Sequence, residues 1–143
     1  MHIEMTRTYA ADREIGFSVV ADPERWSEWT PLGVLADHPT WDRPGDVIRL
    51  SYRSVFPGEA LLEESGPPGL LRFTLRLFGA PPYHLTLGFS AAGTGAFTLA
   101  AVLDTGTPTG CFDRVRSMVL YPVAQHDLRQ CLERLQGVLG RTT

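Results

Sequence analysis

The sequence predicts an α+β fold, an antiparallel meander followed by a long C-terminal helix, with two short helices after the first strand. Two observations carry this expectation. Between Leu70 and Asp104 apolar residues alternate in three runs, separated by turns rich in glycine, alanine and proline, the pattern of half-buried strands joined by short connections. From about Phe112 to Leu139 the apolar spacing changes to that of a helix, with Leu128, Cys131, Leu132, Leu135 and Leu139 forming one stripe. At 143 residues, 43% of them hydrophobic and 20% charged, the chain suits a single domain over residues 1–143 with a sizeable core.

In chain order, residues 2–9 alternate as a first strand, with Ile3, Met5, Arg7 and Tyr9 on one face. Asp12 is placed to cap a short helix through Val20, and Asp22-Pro23 to start a second one carrying Trp26 and Trp29. Residues 34–38 read as a strand, and Asp42-Arg43-Pro44-Gly45-Asp46 as the turn before a strand over 47–56. Pro57-Gly58 reads as the next turn, leading to strands over 59–64, 70–78, 83–90 and 96–104. Three sets share an inward face: Leu71, Phe73, Leu75 and Leu77; Tyr83, Leu85, Leu87 and Phe89; and Phe97, Leu99, Ala101 and Leu103. In the last helix, Phe112, Val115 and Val119 fall on the side of a straight helix opposite the Leu128 stripe, and Pro122 lies between the two sets. A kink there decides whether His126 approaches the interior or faces solvent.

Several pieces of this order resemble the START-like superfamily, also called SRPBCC. They are Ala11 and Phe17, Asp22-Pro23-Glu24-Arg25-Trp26 with Trp29, Pro44-Gly45-Asp46 before a strand, Glu63 followed by Pro67-Pro68 and Leu70-Leu71, and the Gly93-Thr94-Gly95 hairpin. The resemblance covers nearly the whole chain. It implies a helix-grip fold, a curved seven-stranded antiparallel sheet around the long C-terminal helix, with a deep apolar cavity between them. Family members bind lipids, hormones, polyketides or other apolar molecules; some are polyketide cyclases or dehydratases, and others activate chaperone ATPases. Fold does not choose among these.

The expectation drawn from the resemblance is a cavity that encloses a polyketide-like or aromatic molecule and catalyses its cyclisation or dehydration by general acid/base chemistry. A noncatalytic carrier or sensor and a chaperone-type interaction module are the alternatives. Such chemistry needs a base or acid and a donor for a developing enolate in a dry pocket. His126 has the side chain suited to proton exchange near neutral pH, and the Tyr83 hydroxyl to donation. An inward Arg7 would polarise a carbonyl, and an inward Glu64, on the parity of Leu62 and Ala60, would supply a carboxyl group. Each has a structural alternative: solvent for His126, Arg7 and Glu64, and a backbone-satisfied hydroxyl for Tyr83. Tyr52, Trp41, Phe73, Leu75, Leu85, Leu87, Leu99, Phe112, Val115 and Val119 are the expected substrate-lining residues.

Other function classes find no support. The chain has neither Lys nor Asn, which excludes Schiff-base chemistry and a phosphate-loop lysine, and its 13 arginines are scattered among 16 acidic residues for a net charge of −3. Nucleic acid is therefore not an expected partner. There is no serine nucleophile elbow, HExxH or glycine-rich nucleotide loop, so no cofactor is expected. Four scattered histidines without a CxxC make no zinc pattern, and Cys111 and Cys131, about 30 Å apart on a straight helix, cannot pair. The absence of an apolar run of about 18 residues and the polar start Met1-His2-Ile3-Glu4 point to a cytoplasmic protein without a membrane span. The oligomeric state is left open.

Overall fold

Period-two alternation turns one face of every long strand inward, and the computed structural model shows these faces joined in one seven-stranded sheet. It describes residues 1–35, 40–77, 81–105 and 110–142, with the side chains of residues 110–117, 119 and 120 outside the description. The order is β1 (His2–Tyr9), α1 (Arg13–Val20), a 3-10 turn at Pro23–Arg25 leading into α2 (Trp26–Trp29), β2 (Leu32–Val34), β3 (Val47–Tyr52), β4 (Phe56–Gly66), β5 (Leu70–Leu77), β6 (Tyr83–Ala91), β7 (Phe97–Asp104) and α3 (Gly110–Thr142). Spatially the strands run β1-β7-β6-β5-β4-β3-β2, and every pairing is antiparallel. The three expected inward sets are buried, save Leu77 and Leu85, which are half-buried.

Asp22 accepts a hydrogen bond from the Glu24 amide at 3.1 Å with Pro23 at the first helical position, as its sequence suggests. Asp12 stands at the start of α1 but its side chain makes no capping bond there. The C-terminal part of α3 buries Leu132, Leu135, Val138 and Leu139, and the helix meets α1, α2 and β1. Pro122 is accommodated inside the helix rather than ending it. Among the described residues no helix is long and apolar enough to cross a membrane.

Three parts of the strand assignment differ from the sequence expectation. The run 47–56 is two strands, because Arg53 and Ser54 adopt left-handed backbone with φ of 52° and 61° and fold the chain back at 53–55. Neither is glycine, so nothing in composition marks the turn. Pro57-Gly58, expected as a turn, lies within β4, where a Cβ on Gly58 would meet the Arg76 carbonyl oxygen at 2.6 Å; the glycine serves close strand approach. The strand expected over 34–38 is shifted to β2, and residues 36–39 lie outside the described residues.

Candidate ligand-binding cavity

Between the concave face of the sheet, α2 and the middle of α3 lies a cavity of about 320 Å³. Its described lining is almost entirely carbon: Trp26 and Trp29 from α2, Phe73 and Leu75 from β5, Leu85 and Leu87 from β6, Leu99 and Leu103 from β7, and Val123, Ala124, Leu128 and Leu132 from α3. Strand alternation supplies the sheet half of this wall, and helical steps of three and four supply the other. Polar side chains enter at Thr30, Tyr52, Tyr83, Asp127 and Cys131.

The sequence-derived candidates separate into two groups. Tyr52, Tyr83, Phe73, Leu75, Leu85, Leu87 and Leu99 line the cavity. Trp41 does not: it is buried behind the wall, edge-on to Trp26 at 4.9 Å and to Phe73 at 5.2 Å between ring centres. His126 is exposed, because the residues of α3 that turn inward are Ala124, Asp127, Leu128 and Cys131. Arg7 faces α3 but beyond the cavity, donating to the Gln136 side-chain oxygen at 2.7 Å. Glu64 is turned to the outer face by a β-bulge between Leu62 and Glu64, and pairs with Arg72 at 2.9 Å. That bulge breaks the parity on which an inward Glu64 depends. The side chains of Phe112, Val115 and Val119 lie outside the described residues.

One cluster was not singled out by the sequence. Asp127 accepts from the Tyr52 hydroxyl and, at 2.7 Å, from the Arg53 guanidinium, which also donates to the Tyr52 oxygen at 3.0 Å and lies over its ring at 5.2 Å. Burial, reinforced by the Asp127 carboxylate and opposed by Arg53, raises the Tyr52 phenol above its ordinary value. The signal for Asp127 was present: it sits three residues after Ala124 and four before Cys131, a lone carboxylate within an apolar helical stripe. Arg53 gave no signal, since its position depends on a left-handed turn without glycine. One turn further along α3, burial pushes the Cys131 thiol up to about 12, with Asp127 adding to the effect, so it remains protonated at neutral pH. Among the described residues no group of His, Cys, Asp and Glu is arranged to hold a metal ion.

With strand order, helix placement and cavity established, the class is clear: this is the START-like helix-grip fold. A protein from Mesorhizobium loti superposes with a TM-score of 0.78 at 19% identity, covering 100% of this chain and 99% of that one. A START superfamily protein from Mycobacterium smegmatis gives 0.75 at 16% identity, covering 99% of each. DynU16, a protein in the dynemicin biosynthetic locus, gives 0.75 at 16% identity over 97% of this chain and 47% of its own, so this chain spans about half of it. No protein-family model matches the sequence, and no curated protein does.

Proposed function

We propose that this chain binds an apolar small molecule, polyketide-like or aromatic, in the cavity between the sheet and α3. The observation that carries the reading is the lining: around about 320 Å³ of space, nearly every described side chain is aliphatic or aromatic, and the few polar ones converge from the end of α2, β3, β6 and α3. Filling such a space with an apolar ligand removes carbon surface from water, at about 25 cal/mol per Å². The position of DynU16 in the dynemicin biosynthetic locus is compatible with a ligand-binding role.

A second reading, acid/base cyclisation or dehydration of the bound molecule, rests on Tyr83 and on the Tyr52–Asp127 pair at the lining. In a dehydration the carboxylate would take a proton from the carbon beside a carbonyl, a phenol would protonate the departing hydroxyl, and water would leave. This reading needs no cofactor. It assigns no step to His126, Arg7 or Glu64, which stand outside the lining.

Titration with the neutral dye N-phenyl-1-naphthylamine tests the binding reading. The wild type should enhance its fluorescence saturably, and Leu87→Trp, which fills the cavity, should abolish the enhancement while remaining folded by circular dichroism. Unsaturable enhancement, or enhancement equal in the filled variant, counts against it.

A further inference from the structure

We infer that the ligand carries a hydroxyl group on an otherwise apolar, uncharged body, and that this hydroxyl donates its proton to Asp127; the inference rests on the apolar-ligand reading above. It follows from counting what the polar groups at the cavity have left to offer. The Thr30 hydroxyl donates to the Trp26 carbonyl at 2.7 Å and accepts from the Leu32 amide at 3.0 Å. The Tyr52 hydroxyl donates to Asp127 and accepts from Arg53 at 3.0 Å. Trp26 donates its ring N–H to the Val20 carbonyl at 2.9 Å, and the Trp29 ring nitrogen is too covered for a ligand atom to reach. Tyr83 and Cys131 carry rotatable protons and can donate or accept, so they do not discriminate between ligands.

Asp127 is different. A carboxylate paired with a guanidinium only accepts, with about four lone-pair positions. The described residues fill two of them, Tyr52 at one oxygen and Arg53 at the other. The side chain is 15% exposed and lines the cavity, so a bound ligand displaces water from the remaining positions. A ligand that brings a donor restores the lost hydrogen bond; one that brings only carbon leaves a carboxylate partly unsatisfied, which is unfavourable in a dry site.

Charge narrows the class further. Asp127 is the sole ionised side chain among the described lining residues, and the Arg53 guanidinium beside it cancels its charge. Among the described lining residues neither an ammonium nor a carboxylate finds an unmatched opposite charge, which favours a neutral donor. The turn that brings Arg53 into place holds two non-glycine residues in left-handed backbone, a conformation costing about 1 kcal/mol or more per residue. The Tyr52–Asp127–Arg53 arrangement is thus kept at the cavity despite local strain.

The test compares two probes of nearly identical shape, 2-naphthol and 2-methylnaphthalene, by competition against N-phenyl-1-naphthylamine. A hydrogen bond to a charged acceptor predicts that the wild type binds 2-naphthol at least about tenfold more tightly. Asp127→Leu should erase or reverse that preference while still binding 2-methylnaphthalene. Equal affinities in the wild type, or a preference for the methyl compound, would overturn the hydroxyl assignment and leave the apolar-ligand reading standing. Failure of both probes to compete would overturn both readings. The wild-type comparison decides the matter even if Asp127→Leu does not fold.

Discussion

The hydroxyl of Tyr9 donates to the main-chain carbonyl of Leu132 at 2.7 Å, joining the first strand to the last helix across 123 positions. The ring is buried and stacked on Phe97 at 5.2 Å, and burial holds the phenol well above its ordinary range, so the donor stays protonated throughout the accessible pH range. This bond fixes the height of α3 over the sheet, directly beside the cavity-lining Leu132. Tyr9→Phe keeps the stacking and removes this bond, while the Leu132 carbonyl, inside α3, keeps its place in the helical ladder. Urea denaturation should show a loss of about 0.5–1.5 kcal/mol; an unchanged midpoint would mean that the bond contributes nothing net.

Phe97 also sets a steric limit on α1. A Cβ built on Gly16 would lie 2.4 Å from the Phe97 ring carbon Cζ, and Phe97 is fully buried between Tyr9 and Phe89 with no room to retreat. Helix propensity alone favours alanine over glycine by about 1 kcal/mol. Overpacking at a fully buried ring costs about 1–3 kcal/mol, so the clash should win and Gly16→Ala should lower the thermal midpoint. A raised midpoint would show that α1 can shift away from the sheet.

These contacts mark where sequence reading succeeds and where it stops. Parity along β5, β6 and β7 gave the buried faces because each strand has one apolar side, and Leu71, Phe73, Leu87 and Leu99 lie where alternation puts them. Parity failed at Glu64 because a bulge shifts the register by one residue, and alternation carries no record of a bulge. Trp41 read as cavity lining since residue type alone cannot separate a wall from the layer behind it. Asp127 was visible as a carboxylate in an apolar stripe, yet its meaning depends on Arg53 and Tyr52, 74 and 75 positions away.

Cys131 gives a prediction with a definite sign. Burial disfavours the thiolate and pushes the folded thiol up to about 12, well above its ordinary value. Its contribution to stability is therefore complete below about pH 9 and declines as pH rises towards 12, where the unfolded chain loses the proton first. In Cys131→Ala the fall of unfolding free energy between those limits should be shallower. Iodoacetamide at pH 8 should modify this position slowly in the folded protein and rapidly in urea, with peptide mapping to count Cys111 separately. Rapid modification of the folded form would contradict the burial of the thiol.

The acid/base reading is open to a substrate-independent check. 2-Tetralone has an exchangeable proton beside its carbonyl, and a cavity carboxylate able to remove it should accelerate deuterium incorporation followed by proton NMR. The wild type should exceed Asp127→Asn by about a hundredfold or more, the lower range for general base catalysis. Equal rates, with both proteins binding N-phenyl-1-naphthylamine, would leave a binding protein without this chemistry.

Methyl NMR of leucine-labelled protein titrated with 2-methylnaphthalene tests the central claim most directly, since it reports where an apolar molecule goes. The account predicts saturable shifts at Leu75, Leu85, Leu87, Leu99 and Leu128, which line the cavity, with Leu61 and exposed Leu35 unmoved. Shifts confined to Leu35, or no saturable shift at any cavity leucine, would contradict it.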